Sequence, residues 1–218
     1  MSDNRTGTES LFDAIYTQRA IRKFRDEPVP KDLLWRVIEA ATKAPSGTNS
    51  QPWKFIVIED EGRRRAIAQM VRDQSQKNPG TREYFSRGSR SEERSERLML
   101  TGALSLLDDL AQAPVLIIPC LDRDGAPIAD SFRSGSSIYG AIQNLQLAAR
   151  GLGLGTVLTS FEAAIEAELR AYLDIPDTAA PVALIPLGFP DANFGPTRRK
   201  PVDEVTFWDG WGATETRA

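Results

Sequence analysis

Apolar positions recur at helical spacing through much of the chain. Leu11, Phe12, Ile15 and Tyr16 share one side of a helix expected over Glu9–Thr17. Leu33, Leu34, Val37, Ile38 and Ala41 repeat at the same period and predict a helix over Lys31–Lys43, stopped by Pro45 after Ala44. Ile67, Met70 and Val71 point inward from a helix over Gly62–Gln76, which Asn78-Pro79-Gly80 breaks. Leu98–Ala111, Phe132–Arg150 and Phe161–Leu173 read as three further helices. Between them lie short apolar runs that read as strands: Trp53–Glu59, Ala113–Cys120, Thr156–Thr159 and Pro181–Leu187. Helices interspersed with a few short strands, without regular βαβ alternation, predict an α+β fold rather than a doubly wound sheet.

The polar stretches refine this outline. Residues 1–8 are polar and expected to be disordered. Over residues 81–97, Arg82, Arg87, Arg90, Arg94 and Arg97 alternate with Glu83, Glu92, Glu93 and Glu96. Mixed signs fit a solvated, mobile helix or lid, not a nucleic-acid arm, which would be basic throughout. Tyr84 and Phe85 on this segment suit either covering a ligand or packing onto the core. Glycine and proline hold residues 188–201 extended, and residues 202–218 reach outward carrying Phe207, Trp208 and Trp211. Three large aromatics without cover in their own segment predict a second chain.

Composition narrows the chemistry. The chain has 218 residues, 41% of them hydrophobic, enough for one well-buried domain or one protomer of an intertwined dimer. No apolar run reaches the roughly 18 residues needed to cross a bilayer, and the polar start MSDNRTGTES lacks a signal core, so a cytoplasmic protein with no membrane partner is expected. The net charge of −3 gives no general attraction to nucleic acid. Histidine is absent, which excludes histidine-based triads and histidine-ligated metals. The single cysteine, Cys120, ends an apolar run and reads as a buried, inert thiol. Asp122-Arg123-Asp124-Gly125 is a turn, because it lacks the remaining acidic ligands of a calcium loop. Gly151, Gly153 and Gly155 follow a helix and precede a strand, the reverse of a dinucleotide fingerprint, and read as a helix cap and tight turn.

The densest chemistry lies at Ala44-Pro45-Ser46-Gly47-Thr48-Asn49-Ser50-Gln51-Pro52-Trp53. Two prolines fix φ at both ends, Gly47 allows a sharp turn, and five neutral polar side chains offer donors and acceptors. On residues alone this is either a polar helix–strand connection or a site for a flat, uncharged, hydrogen-bonding ligand such as a flavin ring.

Upstream stands Arg19-Ala20-Ile21-Arg22-Lys23-Phe24, then Pro28-Val29-Pro30 and a helix. Near the C-terminus, Pro186-Leu187-Gly188-Phe189-Pro190 precedes Gly195-Pro196 and Arg198-Arg199-Lys200-Pro201-Val202. These three motifs, in this order, resemble the FMN-dependent nitroreductase family from about Arg19 to about Trp211. The resemblance implies a nitroreductase-like fold: a small mixed β-sheet sandwiched by helices in an intertwined homodimer. It implies one FMN-binding domain over 9–201 with a lid at about 78–100, and a C-terminal extension, 202–218, that wraps the partner. It implies FMN as cofactor, with NADH or NADPH as co-substrate.

By match to the family, Arg19, Arg22 and Arg199 hold the phosphate and ribityl chain, with Arg198 a substitute for Arg199. Ala20 contributes only backbone, and Gln18 and Ala20 stand where the family more commonly has arginine and serine. Pro45, Ser46, Gly47, Asn49 and Gln51 resemble the loop that meets the flavin from the other subunit. Leu158, Thr159 and Ser160 match a segment whose backbone faces the ring, and Ser160 stands near a position often acidic in the nitroaromatic-reducing branch. The implied activity is ping-pong transfer of electrons from NAD(P)H through flavin N5 to an electron-poor acceptor such as a nitroaromatic or quinone. No side chain need be a nucleophile and no metal is called for. Dehydrogenation, dehalogenation, flavin fragmentation and non-catalytic flavin binding remain as alternatives on the same scaffold.

Overall fold

The structure, a computed structural model, describes residues 10–122 and 135–215. Its centre is β2 (Val115–Asp122), paired antiparallel with β1 (Trp53–Ile58) on one side and with β5 (Ile185–Gly188) on the other. β3 (Gly155–Thr156) extends the sheet beyond β5, and β4 (Ala179–Pro181) pairs with the far end of β2. All strand pairs are antiparallel; the sheet becomes mixed where Ala20 bridges Thr156 in parallel.

β2 is buried on both faces, which is why its sequence is continuously apolar rather than alternating. Leu116, Ile118 and Cys120 enter one core with Ile67, Ala68 and Val71 of α3 (Glu61–Lys77), Leu106 and Leu107 of α5 (Arg94–Asp108) and Leu169 of α7 (Glu166–Leu173). Val115 and Ile117 enter the other with Leu33, Leu34 and Val37 of α2 (Lys31–Ala41) and Ile138, Ile142 and Leu145 of α6 (Gly135–Gly151). Helices on both faces of a small sheet give the expected α+β sandwich. Each fully buried side chain of this kind contributes about 1.5–3 kcal/mol. Cys120 is buried, and burial pushes its thiol up to about 11, so it stays protonated and inert as expected.

Several elements differ from the sequence expectation. α1 (Leu11–Thr17) is capped by the Ser10 hydroxyl, which accepts from the Asp13 N–H; Leu11, Phe12 and Tyr16 face outward and only Ala14 is buried. α2 ends at Ala41, before Pro45, because Thr42 leads into a turn. The charged segment forms α4 (Pro79–Gly88) and the start of α5, with Pro79 at the first helical turn, where its missing N–H costs nothing. Arg82 ties α4 to α5 through Asp108 at 2.6 Å.

The strand expected over Thr156–Thr159 stops at Thr156. The next residue would face Pro186 on β5, which has no N–H to give, and pairing resumes only at the Thr159–Leu184 bridge. The strand expected over Pro181–Leu187 is two strands. Cys120 and Ile117 of β2 are separated by two residues, while their partners Pro181 and Ile185 are separated by three, so one extra residue forms a bulge. The helix expected over Phe161–Leu173 is a 3-10 turn, Phe161–Ala164, then α7, broken where Ile165 turns out of helical geometry to bury its side chain. The expected disorder of residues 1–8, the turn at Arg123–Gly125 and the start of the helix at Phe132 lie outside the described residues.

Candidate functional site

Arg19–Phe24 lies as an extended strip along the sheet edge. Ala20 bridges Thr156, and the Ile21 N–H donates to the Thr156 carbonyl at 2.9 Å. Glycines make this strip possible. A Cβ on Gly155 would stand 2.6 Å from Ile21 Cγ2, and one on Gly188 would stand 2.5 Å from Pro114 Cδ and 3.2 Å from Phe24. Gly155 is therefore a strand glycine shaped by close approach, not part of the helix cap; the turn is made by Gly153 at φ +76°.

The strip carries two arginines. Arg19 is exposed; Arg22 is half-buried, its stem against Gly102 of α5, where a Cβ would stand 3.3 Å from its Cδ. Burial, and secondarily the neighbouring charge of Arg19, hold the Arg22 pKa below its ordinary value. Among the described residues neither guanidinium has a hydrogen bond or carboxylate partner. Two adjacent guanidiniums with no balancing carboxylate, one of them partly desolvated, fit an anion with several acceptor oxygens, such as a phosphate monoester.

Arg22 opens into a cavity of about 340 Å³. Its apolar lining comes from Tyr84 and Phe85 of α4, from Met99, Leu100, Ala103 and Leu106 of α5, and from Val157, Leu158 and Phe161. The polar rim is Thr159 and Ser160. Thr159 is buried and turned inward: its hydroxyl and its N–H both donate to the Leu184 carbonyl, at 2.8 and 3.1 Å. The extra residue of the bulge is what brings that carbonyl there. Leu158 and Ser160, on either side, are exposed, and among the described residues their N–H groups donate to nothing. The segment can thus present two backbone donors to a flat ligand, from Leu158 and Ser160 rather than from Thr159.

The Ser46–Gln51 loop is preformed. The Gln51 N–H donates to Ser46 Oγ at 3.0 Å, the Asn49 N–H to the Ser46 carbonyl at 3.0 Å, and the Gly47 N–H to Ser137 Oγ on α6 at 3.3 Å. Thr48, Asn49 and Gln51 have φ of 52°, 55° and 49°. Left-handed backbone at a non-glycine residue costs about 1–3 kcal/mol and persists where function or surrounding structure demands it. The loop sits over the start of α6, exposed apart from half-buried Ser46, and none of Pro45–Gln51 lines the cavity beside Arg22 in the same chain.

The C-terminal segment returns to the first strip. The Thr197 N–H donates to the Tyr16 carbonyl at 3.1 Å, and Gly195 lies against Arg19. Arg198 and Arg199 follow, both exposed; Arg199 donates to the Arg198 carbonyl at 2.8 Å. Arg198 also faces Glu93, whose carboxyl is held below its ordinary range by the Ser95 hydroxyl and backbone N–H groups, with a smaller part from Arg198.

One group near the site is invisible in the sequence pattern. Glu162 is buried in the 3-10 turn just after Ser160, and its Oε2 has no hydrogen-bond partner. Burial raises its pKa to about 7, helped by Glu166 and opposed by backbone N–H groups of Glu162 and Leu184. Its position in an amphipathic run gave no sign of this, because the helix expected there is a tighter turn.

Comparison with known proteins agrees with this architecture. The Nitroreductase family profile matches residues 15–189. A "Putative NADH dehydrogenase/NAD(P)H nitroreductase" of Methanothermobacter thermautotrophicus is 32% identical over 88% of this chain and 84% of its own length. "Iodotyrosine deiodinase 1" of Rattus norvegicus is 27% identical over 92% of this chain and 70% of its own. An "FMN and NADPH-dependent nitroreductase" of Sphigopyxis sp. strain HMH shares the fold, with a TM-score of 0.72 at 23% identity, covering 93% of this chain and 100% of that one. With the arginine strip, the glycine-lined sheet edge and the helical sandwich in place over the matched span, this chain belongs to the nitroreductase family of enzymes.

Proposed function

We propose that this enzyme is an FMN-dependent oxidoreductase, taking electrons from NADH or NADPH and passing them to an electron-poor small molecule in a ping-pong cycle. One observation carries the reading: Arg22, uncompensated and with Arg19 as its neighbour, lines the apolar cavity together with Leu158 and Ser160, whose N–H groups are free among the described residues. Bound FMN would supply the electron chemistry. The chain's own residues bind and orient. Arg19 and Arg22 neutralise the phosphate, joined by Arg199 from the C-terminal segment. The Leu158 and Ser160 N–H groups meet developing negative charge on the ring, the electrostatic role of fixed backbone donors. Tyr84, Phe85 and Met99 exclude water from the face where an acceptor would lie.

In the same proposal the site is shared. Ser46, Gly47, Asn49 and Gln51 reach the flavin of a partner protomer, because within one chain they lie apart from the cavity. The domain spans 9–201, the lid about 78–100, and 202–218 lies on the partner. Nitroaromatics and quinones are the acceptors of first choice. Dehalogenation of a halogenated aromatic is the second reading, favoured by the deiodinase relative together with the apolar, aromatic-lined cavity.

The first test is the purified protein itself. It is expected to be yellow and to release FMN, not FAD, on heating; a colourless protein that takes up no added FMN overturns the reading. NADH and NADPH oxidation with a nitroaromatic, a quinone and a halophenol, the last read as halide release, then separates the acceptors. Arg22→Ala is expected to weaken FMN binding by roughly 1.5–3 kcal/mol, the scale of a charged hydrogen bond. Unchanged FMN affinity in that variant would remove Arg22 from the site.

A further inference from the structure

We propose that Arg150 is a positioning residue for the flavin phosphate, clamping the segment that carries Arg19 and Arg22 to the segment that carries Arg199. This rests on the reading that those arginines bind FMN.

Arg150 occupies the last turn of α6, where helix carbonyls favour a cation. It is only 8% exposed, an unusual place for a guanidinium unless its charge and donors are engaged. Its Nε donates to Thr17 Oγ1 at 2.9 Å, and its guanidinium carbon lies 4.0 Å from the ring centroid of Phe194, well within cation–π range. Thr17 is fixed in turn, its hydroxyl donating to the Asp13 carbonyl at 2.5 Å.

Thr17 and Phe194, two residues in contact with Arg150, adjoin in sequence or space the arginines proposed to bind the phosphate. Thr17 ends α1 two residues before Arg19. Phe194 precedes Gly195, which neighbours Arg19: a Cβ there would stand at van der Waals distance, 4.0 Å, from Nη1. The Thr197 N–H on the Tyr16 carbonyl continues the same seam toward Arg198 and Arg199. Arg150 is thus a side chain at which α6, the end of α1 just before the first strip, and the C-terminal segment meet. A lysine would keep the charge but lose both the planar stack and the directed Nε donor.

The test uses the full-length protein equilibrated with mixtures of FMN and riboflavin, with the bound flavins separated and quantified. Riboflavin lacks only the phosphate, so the bound ratio reads phosphate recognition apart from general folding. Arg150→Met is expected to lower the preference for FMN roughly tenfold, part of what loss of a charged hydrogen bond produces. Phe194→Leu should lower it in the same direction by less, and decides the matter alone if Arg150→Met fails to fold. Arg22→Ala is the reference. If it lowers the preference while Phe194→Leu and any folded Arg150→Met bind both flavins in the wild-type ratio, Arg150 is merely structural and the inference falls while the FMN reading stands. If Arg22→Ala itself leaves the ratio unchanged, the phosphate reading fails and this inference with it.

Discussion

Gly155 and Gly188 face each other across β3 and β5; Gly155 leaves room for Ile21 of the arginine strip, and Gly188 chiefly for Pro114 and less tightly for Phe24. At Gly155 an added methyl would lie within 3 Å of Cβ, Cγ1 and Cγ2 of Ile21, so no rotamer change of Ile21 relieves it. Gly155→Ala is expected to cost about 1–3 kcal/mol by overpacking and, by lifting Ile21, to weaken flavin binding. Gly151→Ala, where nothing lies within 4 Å, should do neither. Chemical denaturation of both variants checks this, and equal stability of the two would refute the close-approach argument. Glu162 gives a pH prediction. Its folded pKa of about 7 lies above the ordinary 4.5, so the folded state favours the proton. The associated stability is fully present below 4.5 and lost as pH rises through 7, amounting to about 3 kcal/mol for this shift. Glu162→Gln should flatten that fall, with its largest gain over wild type above pH 7. A wild-type stability that does not drop between pH 5 and 8 would contradict it.

Among the elements, the Ser46–Gln51 loop was the most legible by composition and the least legible by conformation. Its prolines and neutral polar groups are visible in the chain, but nothing in Thr48, Asn49 or Gln51 announces three left-handed residues. That geometry comes from bonds within the loop and from Ser137, 90 residues away. The central strand and the main helices were readable because period and burial agree. The short edge elements were not, since Pro186 and a one-residue bulge, not hydrophobicity, decide where β3 and β4 end. Arg19 and Arg22 were readable through their motif, whereas Arg150 and Glu162 acquire meaning only from what surrounds them in space. The proposed lid yields a prediction of its own. Tyr84 is exposed yet borders the cavity, and α4 is fastened to α5 through Arg82 and Asp108. Tyr84→Ala should therefore raise the acceptor KM severalfold while leaving FMN affinity and the folding midpoint nearly unchanged, because a surface truncation away from the core costs little. Loss of flavin from this variant would assign Tyr84 to the cofactor rather than to the acceptor.

At the scale of the molecule, the described residues leave a large apolar surface in open water, the feature on which the proposed dimer rests. Leu11, Phe12, Ile15 and Tyr16 of α1 and Trp35 of α2 are exposed, and in the tail Trp208 is half-exposed and Trp211 94% exposed. The tail is nonetheless ordered into a compact turn: the Trp208 N–H donates to the Ala213 carbonyl at 2.8 Å, and the Phe207 and Trp211 rings lie 4.9 Å apart. This prearranged aromatic knob has no cover among the described residues, and burying each ring against a partner could contribute roughly 1.5–3 kcal/mol. The proposed occupant is a second copy, since in the same proposal it supplies the Ser46–Gln51 loop, which does not line the cavity beside Arg22 in its own chain. Association and flavin retention are then one property. Deleting residues 203–218 should lower the sedimentation mass from dimer toward monomer and release FMN over the same concentration range, while far-UV helicity is largely kept. A truncated chain that stays dimeric and fully yellow, or an intact chain that is monomeric with FMN bound, would separate the two and leave the site to one protomer.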